Sequence, residues 1–183
     1  MTTKTIFQRT RFFLAVEGQG EQSFIKWLGE LADHNGLHVT LDCQPLGGGG
    51  YRKMLERTIR YRRKKERHKA KATFLLVDSD RSVHDDGWTI SELQTEAAKN
   101  KIELYLQIPN QEGLLLRMLP NNERLQPNIA TVRRQLLSIW SEYQKPVDAR
   151  MLASKFTLAD LQRVAKVDAE LKKLLLIIGF GVK

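Results

Sequence analysis

The sequence predicts an α/β protein: a four-stranded, mainly parallel sheet with flanking helices over residues 1–120, and a helical extension packed on it over residues 121–183. Three observations carry this expectation. Short apolar runs rich in strand formers alternate with segments of helical periodicity, and each run ends at glycine, acidic or proline punctuation. After Pro120 only helical spacing recurs. Strands separated by helices pair in parallel through right-handed crossovers, and such sheets hold ligands beyond the carboxyl ends of their strands.

Arg11 to Val16 (RFFLAV) is the first strand, stopped at Glu17-Gly18-Gln19-Gly20, where glycine permits a sharp turn. From Glu21 onward Phe24, Ile25, Trp27, Leu28 and Leu31 recur at helical spacing until Asn35-Gly36. Leu37 to Leu41 reads as the second strand. Four glycines, Gly47 to Gly50, follow Pro45 and form a hinge or a phosphate-facing loop. Tyr51 to about Lys71 reads as one long basic helix, with Met54, Leu55, Thr58 and Ile59 on one side and Lys53, Arg57, Arg60, Lys64, Arg67 and Lys71 stepping along another. Thr73 to Val77 is the continuous apolar run of a strand buried on both faces, and it delivers Asp78-Ser79-Asp80 at its end.

Ser91 to Lys101 follows as a helix with Leu93 and Ala97 inward. Ile102 to Ile108 alternates like a fourth strand, and Glu112 to Met118 is helical again after Pro109-Asn110. In the extension, Ile129, Val132, Leu136, Ile139, Trp140 and Tyr143 make one amphipathic face. Thr157 to Asp160 has capping-box spacing before a last helix that carries Leu158, Leu161, Val164, Leu171 and Leu175. Trp27 and Trp140 sit at apolar-face positions and are expected in the core.

Hydrophobic residues make up 42% of the 183-residue chain and charged residues 28%, a globular composition. No run reaches the roughly 18 apolar residues a membrane span needs, and MTTKTIFQRTRFFLAV lacks a signal-peptide arrangement, so no membrane association and a cytoplasmic location are expected. A single cysteine, Cys43, excludes an internal disulfide and a Cys-rich zinc site. The net charge of +9 is concentrated: between Arg52 and Lys71 eleven Lys or Arg residues face Glu56 and Glu66, while the rest of the chain balances. Such a field attracts polyanions and makes nucleic acid the natural partner, with Lys53, Arg57, Arg60, Arg63, Lys64, Arg67, Lys71 and Arg81 as candidate contacts. The alternative for the basic run is a solvated helix face, and for Arg81 a plain ion pair with a carboxylate.

Asp78 and Asp80 stand two apart at a strand end, Glu17 ends a neighbouring strand, and Glu21 opens the next helix, so four carboxylates converge on one sheet edge. Hard oxygen donors of this kind suit Mg²⁺ or Mn²⁺, which can activate water and stabilise a leaving oxygen at a phosphodiester. Without an ion, clustered carboxylates repel one another and their pKa values rise. An isolated Asp-x-Asp also serves as a turn or cap, and His84-Asp85-Asp86-Gly87 reads as a turn rather than a metal site.

The segments LAVEGQGEQSF and FLLVDSDR resemble the Toprim family, in which a glutamate follows the first strand and Asp-x-Asp the third. The spacing of Glu21 is similar to OLD-type nucleases and RloB-like proteins. IPNQEGLLLRM makes Glu112 the equivalent of a further glutamate, although its Asn-Pro order is inverted and Gln111 replaces an aromatic residue. The resemblance covers about residues 10 to 120. It implies a Toprim-like sheet and a magnesium-dependent nuclease or strand-transfer core, with Glu17 as general base or ligand and Asp78 and Asp80 as ligands. It also implies a setting in anti-phage or mobile-element defence, sometimes beside a separate ATPase; this chain has no GxxxxGK[ST] of its own. Glu112 could equally be a charge favouring a helix start. The expected activity is therefore metal-dependent hydrolysis of DNA or RNA, the alternatives being nucleotidyl or strand transfer and a non-catalytic nucleic-acid-binding subunit.

Overall fold

The computed structural model describes residues 8–80 and 87–182. Four strands, β1 (Thr10–Val16), β2 (Val39–Pro45), β3 (Ala72–Asp78) and β4 (Glu103–Gln107), form one sheet in the order β2-β1-β3-β4. Every pairing is parallel. Helices α1 (Gln19–His34), α2 (Tyr51–Arg62), α3 (Ile90–Lys99) and α4 (Gln111–Met118) alternate with the strands, and α5 (Val132–Ile139), α6 (Ala149–Lys155), α7 (Leu158–Ala165) and α8 (Ala169–Ile178) follow. The architecture is α/β, with an all-parallel sheet flanked by helices. Among the described residues no helix is long and apolar enough to cross a membrane.

The two-residue period of a strand explains both faces. Phe12, Leu14, Val16, Phe74, Leu76 and Tyr105 point into one core with α1, α4 and the later helices. Phe13, Ala15, Leu75, Val77 and Leu106 point into a second with Met54, Leu55, Leu93 and Ala97 of α2 and α3. β1 and β3 are thus apolar at nearly every position because neither side meets water. The chain runs from β1 outward to β2, then returns across the other face to β3 and β4, so the winding reverses at β1. The crevice between the carboxyl ends of β1 and β3 is the switch point at which such sheets hold ligands.

Residues after Pro120 join the first core rather than making one of their own: Val132, Leu136, Trp140, Leu152, Phe156, Leu161, Leu171 and Leu175 are buried with the sheet residues. Trp140 meets Phe156 edge-on with ring centroids 5.5 Å apart. Arg117 of α4 reaches Asp168, the N-cap of α8, at 2.7 Å, an almost fully buried ion pair that fastens the extension to the sheet domain.

Several elements differ from the sequence reading, each for a physical reason. β2 occupies Val39–Pro45 instead of Leu37–Leu41; as an edge strand it is half exposed, so Asp42 and Gln44 hide its signal, and Pro45 at its end costs no ladder bond. The basic helix stops at Arg62 rather than near Lys71. Twelve helical residues rise about 18 Å, close to the roughly 23 Å of a seven-residue strand, whereas twenty-one would overshoot the sheet at about 31 Å. The chain turns back through Lys65 and Glu66, both left-handed with φ of 50° and 63°, and a 3-10 turn at Arg67–Lys69. The single amphipathic helix over residues 129–143 shortens to α5, leaving Ile129 and Ile139 exposed. The expected last helix is two, broken where Asp168 turns to cap α8, and α6 was not foreseen. Thr157 and Asp160 form the expected capping box, and Trp27 and Trp140 are buried.

Candidate functional site

Each acidic residue is delivered by the end of an element. Glu17 follows the last residue of β1 and is 7% exposed; its Oε2 accepts the Asp78 N–H at 3.5 Å, linking the ends of β1 and β3. Glu21, in the first turn of α1, reaches back to accept the Gly18 N–H at 2.9 Å. Asp78 is the last residue of β3, and its carbonyl accepts the Tyr51 hydroxyl at 3.1 Å. Asp80 is held by the Asn110 amide at 3.0 Å, and its own N–H donates to Pro109 O. Glu112 lies in the first turn of α4 and is 3% exposed.

Two close approaches bring these ends together. The Gln111 amide donates to Gly20 O at 2.8 Å, so the starts of α1 and α4, which carry Glu21 and Glu112, abut. A Cβ on Gly20 would fall 2.1 Å from Gln111 Oε1, which shows how little room separates them. At the head of α4, a Cβ on Gly113 would fall 2.6 Å from Ile108 O. Gln111 is therefore a clamp between two helix starts.

The cluster is electrostatically strained. Burial, followed by the charges of Glu21, Asp80 and Glu112, pushes the Asp78 carboxyl up to about 8, with Lys145 opposing. Glu21 and Asp80 are raised as well, each chiefly by burial, with Glu112 adding repulsion. Asp78 Oδ1 and Glu112 Oε2 are buried and accept no hydrogen bond among the described residues.

Residues outside the sequence reading complete the site. Lys145 comes from the connection between α5 and α6 and places Nζ 2.7 Å from Glu112 Oε1, with 55% of its side chain still exposed. Tyr143, expected only as apolar packing, stands beside Glu112, and burial together with that carboxylate raises its phenol well above the usual range. Gln107 is the register partner of Asp78 on β4 and is buried with neither amide atom hydrogen-bonded among the described residues. Nothing in QKP or LQIP marks these residues by periodicity; only the fold brings them to the edge.

Oxygen donors with two unsatisfied buried atoms suit a hard divalent cation. As the chain lies, however, no three His, Cys, Asp or Glu side chains among the described residues stand close enough to hold one. The donor chemistry fits, and the spacing would have to tighten around an ion.

The nucleic-acid candidates divide. Arg57 donates to Leu46 O at 2.6 Å and Gly48 O at 2.8 Å, bracing the glycine loop. The N–H groups of Gly47 and Gly48 both donate to Glu17 O, so this loop is fastened to the end of β1 and does not present those donors to a phosphate. Arg67 is buried, bound to both Asp42 oxygens at 3.0 Å and over the Phe13 ring at 4.7 Å; it is an internal anchor rather than a surface contact. Lys53, Arg60, Arg63, Lys64 and Lys71 are exposed. Arg81, with His84, Asp85 and Asp86, lies outside the described residues.

Fold and site thus define a parallel α/β protein with an acidic switch-point edge. No family model matches the chain, and neither the curated proteins nor the solved structures include one that matches it.

Proposed function

We propose that the chain is a metal-dependent nuclease of the Toprim type, hydrolysing phosphodiester bonds of DNA or RNA. The observation that supports this reading is the gathering of Glu17, Glu21, Asp78, Asp80 and Glu112 at the switch point, with buried oxygens of Asp78 and Glu112 that accept no hydrogen bond among the described residues. Mg²⁺ or Mn²⁺ bound there would supply Lewis-acid activation of water and of the phosphate. Asp78, Asp80, Glu21 and Glu112 are the residues to hold it, and Glu17 is the base or a further ligand. Asn110 fixes Asp80, Gln111 fixes the two helix starts, and Lys145 neutralises Glu112 until an ion takes over that task. The test is incubation of the purified chain with Mg²⁺ or Mn²⁺ and single-stranded DNA, duplex DNA, structured RNA or tRNA. Cleavage of at least one and its loss in Asp78→Ala support the reading; no cleavage, or cleavage unaffected by Asp78→Ala, overturns it.

The wide spacing of the carboxylates and the ion pair at Glu112 favour a second reading, a nucleic-acid-binding subunit without catalysis. Binding would then be indifferent to divalent ions and to Glu17→Ala or Asp80→Ala.

A further inference from the structure

α2 starts beside the carboxylates, but the basic residues that follow it lie at the opposite edge of the sheet. Thr10 and Arg11 open β1, Thr40 lies at the start of β2, and Lys71 immediately precedes β3, its N–H donating to Arg11 O at 2.8 Å. These residues mark the amino edge of the sheet, while Glu17 and Asp78 mark the carboxyl edge. Seven-residue strands separate the two edges by about 20 Å. At the amino edge an open concavity of ≈ 610 Å³ is lined by Arg9, Arg11, Thr40, Glu66, Lys69 and Lys71.

Its charge is positive and held in place. Among the described residues Glu66 is its one acidic lining residue and is paired with Lys69, Arg9 is paired with Asp33, and Arg11 and Lys71 form no ion pair. Beside it stand Arg63, Lys64 and Lys65, all exposed, with Lys64 Nζ 5.4 Å from the centre of the Tyr61 ring. The turn that carries them is pinned from beneath by the buried Arg67, and Lys65 and Glu66 keep left-handed backbones that L residues rarely adopt. A merely solvated charge run needs neither the anchor nor the strain.

We propose that this amino-edge concavity is a docking site for the phosphate backbone of nucleic acid, separate from the acidic edge. Lysines and arginines fixed at the rim of a concave surface neutralise successive phosphates and release their counterions, which gives affinity without sequence preference. A chain bound at both edges is gripped across about 20 Å, so the substrate class is an extended or duplex nucleic acid rather than a mononucleotide. The choice of nucleic acid as the ligand rests on the proposed function, but the site does not depend on catalysis.

The test is fluorescence-anisotropy titration of labelled 24-base-pair duplex DNA and duplex RNA with the full chain in EDTA, across a series of salt concentrations. Lys69→Glu/Lys71→Glu is compared with Lys166→Glu/Lys172→Glu, which changes net charge equally on exposed positions of the helical extension. The expected result is a loss of about tenfold or more in affinity for the first pair, a salt slope shallower by about two, and a much smaller change for the second. The titration is run in EDTA and reads binding alone, so failure of the nuclease reading leaves this result intact. The gentler Lys69→Ala/Lys71→Ala, checked by circular dichroism, must lose affinity in the same direction. Equal losses for the two reversed pairs, or no loss for the first, overturn the proposal. Preference between the DNA and RNA duplexes identifies which backbone the site takes.

Discussion

Lys145 and Glu112, 33 positions apart in the chain, meet at 2.7 Å over the acidic edge of the sheet, with the carboxylate buried and the ammonium half in solvent. On the proposed reading the lysine stands where a divalent ion would neutralise the same oxygens, and the two cations would compete for them. Lys145→Ala is therefore expected to lower the melting temperature of the metal-free chain, because a buried carboxylate loses its partner. It is also expected to enlarge the stabilisation that Mn²⁺ gives. Thermal shifts measured with and without Mn²⁺ check this; an unchanged or smaller Mn²⁺ effect in the variant contradicts the competition.

The pH dependence has a definite sign. Asp78 titrates near 8 in the folded chain and near 4 when unfolded, and Glu21 and Asp80 are raised in the same direction. Between those values the folded state holds the proton that the unfolded state has released, so stability falls as pH rises. The metal-free chain should melt progressively lower from about pH 5 to pH 8, and Asp78→Asn should flatten that decline. A melting temperature that rises across this range contradicts the cluster as described.

Three glycines should respond differently to alanine. Gly113→Ala drives a Cβ to 2.6 Å from Ile108 O and 2.7 Å from Pro109 Cδ, where backbone must move, and is expected to cost about 2 kcal/mol. Gly20→Ala meets only the movable end of Gln111, so it should cost less in stability yet loosen the contact between the starts of α1 and α4. Gly29→Ala, inside α1 with nothing within 4 Å of the new carbon, should stabilise by about 0.5–1 kcal/mol. Urea denaturation of the three variants gives the order directly.

Arg67→Ala leaves Asp42 without its bidentate partner on the sheet face and uncovers Phe13, and should cost about 3 kcal/mol. Arg63→Ala, on the exposed side of the same turn, should change stability by less than about 0.5 kcal/mol. Equal denaturation midpoints for the two variants would contradict the internal role of Arg67.

The sequence made the buried parts of this fold legible and the half-buried parts less so. β1 and β3 are surrounded by apolar neighbours on both faces, and their continuous hydrophobic runs could be read with the acidic residues that follow them. Edge strand β2 mixes Asp42 and Gln44 into its pattern, and its position shifted accordingly. In the basic segment, three- and four-residue spacing continues past Arg62 although the helix does not, since the length of the sheet sets the limit. Lys145, Tyr143 and Gln107 belong to the acidic edge through tertiary contact alone, and no local pattern announces them.

The order in which the chain is synthesised adds a temporal side to the ion pair at Glu112. Glu17, Glu21, Asp78, Asp80 and Glu112 all leave the ribosome before Lys145, and the helices that seat its loop follow later still. A nascent chain carrying the whole sheet thus holds its acidic residues with the internal counter-charge not yet delivered. Within the chain, the partner of Glu112 arrives only with the connection between α5 and α6.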